Sequence, residues 1–144
     1  MLLRRSTKAH VANAIVTGFE AGLDVRNADT EVSIKTSVFF GNVIANVAYD
    51  ETVTDESMKD LPTYDDDGGF DEVAEVMDPT NGNFEMDPGL DCWGDVIDFT
   101  PAATILGGSA PPDDGFFDTS ASYIGAFEAG VDWTAGAWVS YAVN

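Results

Sequence analysis

Apolar residues in this chain fall in short runs and alternations of period two rather than in helical stripes. His10-Val11-Ala12-Asn13-Ala14-Ile15-Val16-Thr17-Gly18 is rich in β-branched residues and closes on glycine. Gly18-Phe19-Glu20-Ala21-Gly22 turns, Leu23-Asp24-Val25 alternates, and Asn27-Ala28-Asp29 turns again. Val32-Ser33-Ile34 and Ser37-Val38-Phe39-Phe40 follow as strands, ended by Gly41-Asn42. Short extended pieces bounded by Gly, Asn and Asp are what strand logic predicts. Helix is scarce. Ser57-Met58-Lys59-Asp60-Leu61 predicts a single turn before Pro62. The stretch from Phe70 to Met77 predicts two turns that lay Phe70, Val73, Ala74 and Met77 against a core, with Pro79 as the stop.

The strands carry an internal echo. At an offset of 23 residues Val11 meets Ile34, Ile15 meets Val38, Val16 meets Phe39 and Gly18 meets Gly41. Short strands repeating at this period predict a parallel β-solenoid, in which apolar residues stack inside and Asn residues ladder at the bends. From Asp78 onward the pattern changes to loops: Asp78-Pro79-Thr80-Asn81-Gly82, Asp87-Pro88-Gly89, Gly107-Gly108-Ser109 and Ala110-Pro111-Pro112-Asp113-Asp114-Gly115. Short apolar pieces such as Val96-Ile97-Asp98-Phe99 lie between them. This tail reads as irregular chain wrapped along a scaffold, not as a second domain.

Composition changes the picture in one respect. The 144 residues hold 26 acidic side chains against 6 Lys and Arg, a net charge of −20. Residues 1–35 are close to neutral, because Arg4, Arg5, Lys8, Arg26 and Lys35 offset Glu20, Asp24, Asp29 and Glu31. Beyond them Lys59 is the one basic residue. No basic patch exists to release counterions from a nucleic acid or to hold an anionic membrane surface. An apolar share of 44% is too high for a disordered acidic tail. No run approaches the ~18 apolar residues of a membrane span. Met1-Leu2-Leu3-Arg4-Arg5-Ser6 is not a signal peptide. So strong an acidity suits a saline or calcium-rich extracellular medium, and equally a plain solvated surface.

A family resemblance rests on Leu3-Arg4-Arg5-Ser6-Thr7-Lys8-Ala9, on Asn13-Ala14-Ile15-Val16-Thr17-Gly18-Phe19, and on Gly22-Leu23-Asp24-Val25. Ser37-Val38-Phe39-Phe40-Gly41-Asn42 continues the pattern. Further along, Asn83-Phe84-Glu85-Met86-Asp87-Pro88-Gly89-Leu90, Asp98-Phe99-Thr100-Pro101-Ala102-Ala103, Gly107-Gly108-Ser109-Ala110 and Pro112-Asp113-Asp114-Gly115-Phe116-Phe117-Asp118 also fit. Tyr123-Ile124-Gly125-Ala126-Phe127 and Asp132-Trp133-Thr134-Ala135-Gly136 complete it. The whole resembles the C-terminal portion of bacterial secreted and cell-surface right-handed parallel β-helix (pectate-lyase-like) proteins. It departs at Ala137-Trp138, and residues 48–70 match poorly. The resemblance implies an all-β fold of right-handed parallel β-helix rungs with an irregular C-terminal capping tail. It implies one domain over 1–144: rungs at 1–47, an acidic insertion at 48–77, and the last rung and capping tail at 78–144.

Candidate chemistry is dominated by oxygen ligands. Asp65-Asp66-Asp67-Gly68-Gly69-Phe70-Asp71-Glu72 gathers carboxylates around two glycines. An EF-hand fits badly, since its first and last ligand places fall on Thr63 and Ala74, but a looser Ca²⁺ site built from Asp65, Asp66, Asp67, Asp71 and Glu72 is expected. Asp113, Asp114 and Asp118 form a second Ca²⁺ candidate. His10 and Cys92, the sole residues of their kinds, cannot make a transition-metal site. Cys92 reads as a small buried apolar residue. A polysaccharide lyase needs a base beside Ca²⁺-binding acids, and Arg26 and Lys35 are the only basic residues in the rungs, neither with an acidic cluster around it. Trp133, Trp138 and Tyr141 suit a sugar-stacking platform or a hydrophobic seal over the last rung.

The expectation is a non-catalytic extracellular or cell-surface structural or adhesive module. It is stabilised by Ca²⁺ and assembles end to end through residues 1–20, against further rungs or neighbouring subunits. The alternative is a carbohydrate-active enzyme or a polysaccharide-binding module.

Overall fold

The computed structural model describes residues 1–91, 98–136 and 138–139. Cys92 and Tyr141 lie outside the described residues. The chain is mostly strand with little helix. Its first part runs β1 (Leu2–Arg4), β2 (Lys8–Ala12), β3 (Ile15–Thr17), β4 (Ala21–Arg26), β5 (Glu31–Lys35), β6 (Val38–Phe40) and β7 (Ala45–Ala48). A 3₁₀ turn (Glu56–Met58) and helix α1 (Glu72–Met77) follow, then β8 (Phe84–Glu85), β9 (Ile105–Leu106) and β10 (Tyr123–Ile124).

These strands make four small, separate sheets, ordered β1-β4-β7, β2-β5, β3-β6-β8 and β9-β10. The first three are parallel. Leu3 pairs with Val25, Val11 with Ile34, Ile15 with Val38 and Val16 with Phe39. The echo seen in the sequence is therefore the pairing register of two sheets.

Corners between strands need backbone that turns sharply, and they recur at the same offset. Asn13 and Thr36 both have positive φ, at 58° and 46°, as do Gly18 and Gly41, at 76° and 64°. Asn and Gly tolerate this region, whereas Thr is strained in it. Thr36 is held there by its hydroxyl, which donates to Asn13 Oδ1 at 2.8 Å. Other side chains bridge the same interval. Asn42 Oδ1 accepts from the Phe19 amide at 3.0 Å, and Ser37 Oγ from that of Ala14 at 3.1 Å. The Ser6 hydroxyl donates to Asp29.

One core lies between the parallel sheets. Val16, Leu23, Val25, Ile34, Phe39, Val47 and Ala48 fill it, and α1 adds the fully buried Val76. At Gly22 the backbone of β7 comes so close that a Cβ would sit 2.5 Å from the Val47 carbonyl oxygen and 2.6 Å from Phe39 Cδ1. The helix differs from the face read in the sequence. Glu72 and Val76 are its buried residues, while Val73, Ala74 and Met77 are exposed. Within the helix the core is reached by the i, i+4 pair that contains a carboxylate; of the face that apolar periodicity indicated, Phe70, just ahead of the helix, packs against the core.

The sheet β3-β6-β8 is covered on both faces. Ile15, Val38 and Phe84 point away from the first core and pack with Ile105 and Ile124 of the antiparallel pair β9-β10. Burial on both faces explains why Ile15-Val16 and Val38-Phe39 read as continuous apolar runs. Asn13 fastens this layer. Its Nδ2 donates to the Ser109 carbonyl at 2.8 Å, its Oδ1 accepts from the Ser109 amide at 2.7 Å, and its carbonyl accepts from the Gly125 amide at 2.7 Å. The tail thus lies along the flank of the sheet, touching residues from all three of its strands. Beyond it Phe99, Phe127, Trp133 and Trp138 stack in sequence, with ring centroids 6.4, 5.1 and 5.6 Å apart.

Candidate metal centre

Acidic residues do two different jobs in this molecule. Many cap turns. Asp55, Asp78, Asp98, Asp118 and Asp132 each accept from the backbone amide and the hydroxyl of the Ser or Thr two positions on. Those hydrogen bonds hold the Asp55, Asp78, Asp98 and Asp118 carboxyls below the usual range. The recurring Asp-x-Ser/Thr pattern was readable from the sequence as a turn signature. It accounts for Asp118, while Asp114 accepts from the Phe116 amide at 2.9 Å. Asp113, Asp114 and Asp118 are all exposed, and among the described residues they do not gather into a cluster that could hold a metal.

The first acidic run behaves differently. Asp65 and Asp71 are again caps. Asp65 Oδ1 accepts from the Gly68 and Gly69 amides at 2.9 Å, and Asp71 Oδ1 accepts from the Ala74 amide at the start of α1. Gly68 and Gly69 have φ of 85° and 87°, which folds the loop so that Asp67 points inward. Asp67 is 3% exposed, and its Oδ1 accepts from the Gly69 and Phe70 amides at 3.0 and 2.9 Å. Its Oδ2 is buried with no hydrogen-bond partner. Glu72, the first residue of α1, is 2% exposed and accepts from the Val25 amide of β4 at 3.2 Å.

Glu51 completes the group. It stands three positions after β7, at the start of the acidic insertion. One carboxylate oxygen each from Glu51, Asp67 and Glu72 lie within 4.8 Å of one another. Glu51 Oε2 is also buried without a partner, as is Asp66 Oδ1. Nothing in the local sequence marked Glu51 as part of the site. It stands near the start of the insertion and the run near its end, and only folding brings the two together.

Burial and mutual repulsion disfavour three negative charges here. Desolvation, then the charges of Glu72, Asp66, Asp67 and Asp24, push Glu51 up to about 8. Burial, reinforced by Asp67 and Asp24, raises Glu72 to about 7 against the lowering effect of its backbone hydrogen bonds. Asp66 and Asp67 are raised too, each chiefly by desolvation. A neighbouring cation, Arg26, is engaged elsewhere. It pairs with Asp24 through two bonds at 2.9 and 3.1 Å and reaches Asp66 Oδ2 only at 3.5 Å.

A separate groove of about 670 Å³ runs along the outer face of β2 and β5, with His10, Ser33 and Lys35 on its floor and Ser109, Phe117 and Tyr123 on its wall. It holds no carboxylate. Comparison with protein-family models, with curated proteins and with solved structures finds no match to this chain.

Proposed function

We propose that this chain is a non-catalytic structural or adhesive segment of a right-handed parallel β-helix that works outside the cell. One observation carries the reading. Three separate parallel ladders share an offset of 22 or 23 residues, with left-handed corners at matching positions. A chain that returns to the same three directions at a constant interval is advancing by one coil, and parallel crossovers of this kind are right-handed in nearly all proteins. On this reading the sheets are the three faces of one helix. The insertion and α1 then replace the strand that a third coil would have added beside β5. Heavy acidity suits an ionic extracellular medium.

Along β1, β2 and β3 one edge lacks a strand partner among the described residues. Such an edge recruits another strand. Further coils or a second copy of the chain would extend each ladder in the same register. Static light scattering over a concentration series tests self-assembly. Mass that grows with concentration is the expected result, and a constant monomer mass overturns the end-to-end part of the proposal.

A second reading, binding of an acidic polysaccharide, is favoured by the groove over β2 and β5. Lys35 and His10 are basic groups lining that groove, and Tyr123 and Phe117 line it too, aromatic residues of the kind that stack on sugars. Calorimetric titration with uronate oligomers, alongside an assay for their cleavage, separates the readings. Binding lost in Lys35→Ala without turnover supports a binding module, and turnover would overturn the non-catalytic reading.

A further inference from the structure

We propose that Glu51, Asp67 and Glu72 form a binding site for one Ca²⁺ ion, which staples the acidic insertion onto the β-sheet core. The geometry is that of a shared ion. Two oxygens each about 2.4 Å from a common Ca²⁺ lie at most about 5 Å apart, and the three carboxylate oxygens here are within 4.8 Å of one another. The second observation is independent of the clustering. Asp67 Oδ2 is buried on a side chain that is only 3% exposed, and no N–H or hydroxyl donates to it, while the neighbouring Asp65 carboxyl adds negative charge. A buried, unpartnered carboxylate oxygen is costly, and a cation is the partner its position calls for.

The donors choose the class of metal. All are carboxylate oxygens with no imidazole or thiolate among them, which suits a hard cation and excludes a zinc-type site. Mg²⁺ demands near-ideal octahedral geometry at about 2.0–2.1 Å. Ca²⁺ tolerates irregular sets of six to eight oxygens and can take carboxylates in either bidentate or single-oxygen mode. Asp66, with its own buried unpartnered Oδ1, stands beside the group for a further ligand or a water bridge.

The positions say what the ion does. Glu51 leads into the insertion, Asp67 sits in the glycine turn near its end, and Glu72 begins α1 and bonds β4. An ion held by all three closes a loop of about twenty residues, the situation in which a metal clip removes most freedom from the unfolded chain. It also cancels the repulsion that lifts Glu51 and Glu72.

Thermal unfolding of the chain in EDTA and in millimolar CaCl₂ or MgCl₂ tests this, with the variants Asp67→Asn and Glu51→Gln. Asp67→Asn keeps the oxygen that accepts from Gly69 and Phe70 and replaces the unpartnered one. In wild type Ca²⁺ should raise Tm by about 5–10 °C, with Mg²⁺ giving less. Both variants should match or exceed wild type in EDTA and lose the Ca²⁺ response. Limited proteolysis within residues 52–66 should slow with Ca²⁺ in wild type only. An unresponsive wild type, or variants that respond as it does, would overturn the site. The second outcome would mean that Ca²⁺ acts only on the general acidic surface. Should Asp67→Asn fail to fold, Glu51→Gln alone decides between these outcomes.

Discussion

The ladder region, residues 1–47, and the acidic insertion, residues 48–77, both bury polar side chains but treat them in opposite ways. In the ladders, fully buried Ser37 accepts from Ala14 and donates to the Lys35 carbonyl at 2.9 Å. Asn42 accepts from Phe19 and donates to the carbonyls of Val16 and Asn46 at 3.1 and 2.8 Å. Both are neutral, and both link one strand layer to the next. The insertion buries charges, and among the described residues the buried side-chain oxygens that lack partners belong to its Glu51, Asp66 and Asp67. Neutral polar groups repeated at a constant offset satisfy one another through the fold. Like charges brought together by the fold cannot, and they wait on protons or a cation. The two regions should therefore answer to different variables, the first to packing and the second to pH and divalent ions.

The largest expected effect lies in the ladders. Phe39 is fully buried, and its replacement by Ala should cost about 3–5 kcal/mol in denaturant unfolding, with the same loss in EDTA and in Ca²⁺. A loss that changed with Ca²⁺ would break the separation between the regions. Next comes the fastening of the tail. Asn13→Ala removes three hydrogen bonds and leaves a left-handed residue without the side chain that justified it, a loss of about 2–3 kcal/mol. Proteolysis should then cut first between residues 98 and 136, while the parallel ladders hold.

The pH response belongs to the insertion. Glu51 and Glu72 have folded-state values raised to about 8 and about 7, so the folded state binds more protons than the unfolded one between about pH 4.5 and 8. Stability is greatest at the acid end of that window and falls as pH rises through it. The fall is about 1–2 kcal/mol once solvent screening of the half-buried Glu51 is allowed for. It should be seen in EDTA and should shrink in Ca²⁺, which binds the ionised form. A rise in stability with pH in EDTA would contradict the repulsion. The smallest effect is at the surface. Lys8 and Glu31 face each other at 2.6 Å, but both side chains are largely exposed, so Lys8→Ala should cost under about 1 kcal/mol and vanish in high salt.

Much of this molecule could be read along the chain. The 23-residue echo was visible because parallel pairing forces equivalent residues into register, and the apolar runs at Ile15-Val16 and Val38-Phe39 reported burial on both faces. The Asp-Gly-Gly run drew attention to Asp67 and Glu72, which do meet, but the neighbouring Asp65 and Asp71 are taken up by caps. A carboxylate that ligates and one that caps look alike in sequence, because the difference lies in which backbone amides come near.

By itself the sequence determined the extended stretches from His10 to Phe40, their repeat interval and the concentration of acid in the later part of the chain, since local preference and spacing decide all three. The corner at Asn13 that splits the first stretch into β2 and β3, and the strands β7, β9 and β10, it did not mark. The tertiary structure decided the rest. It laid the tail along the flank of β3-β6-β8 and turned the Glu72–Val76 stripe of α1 inward. It carried Glu51 back across the insertion to Asp67 and Glu72. Those contacts join residues far apart in the chain, where no local spacing records the meeting.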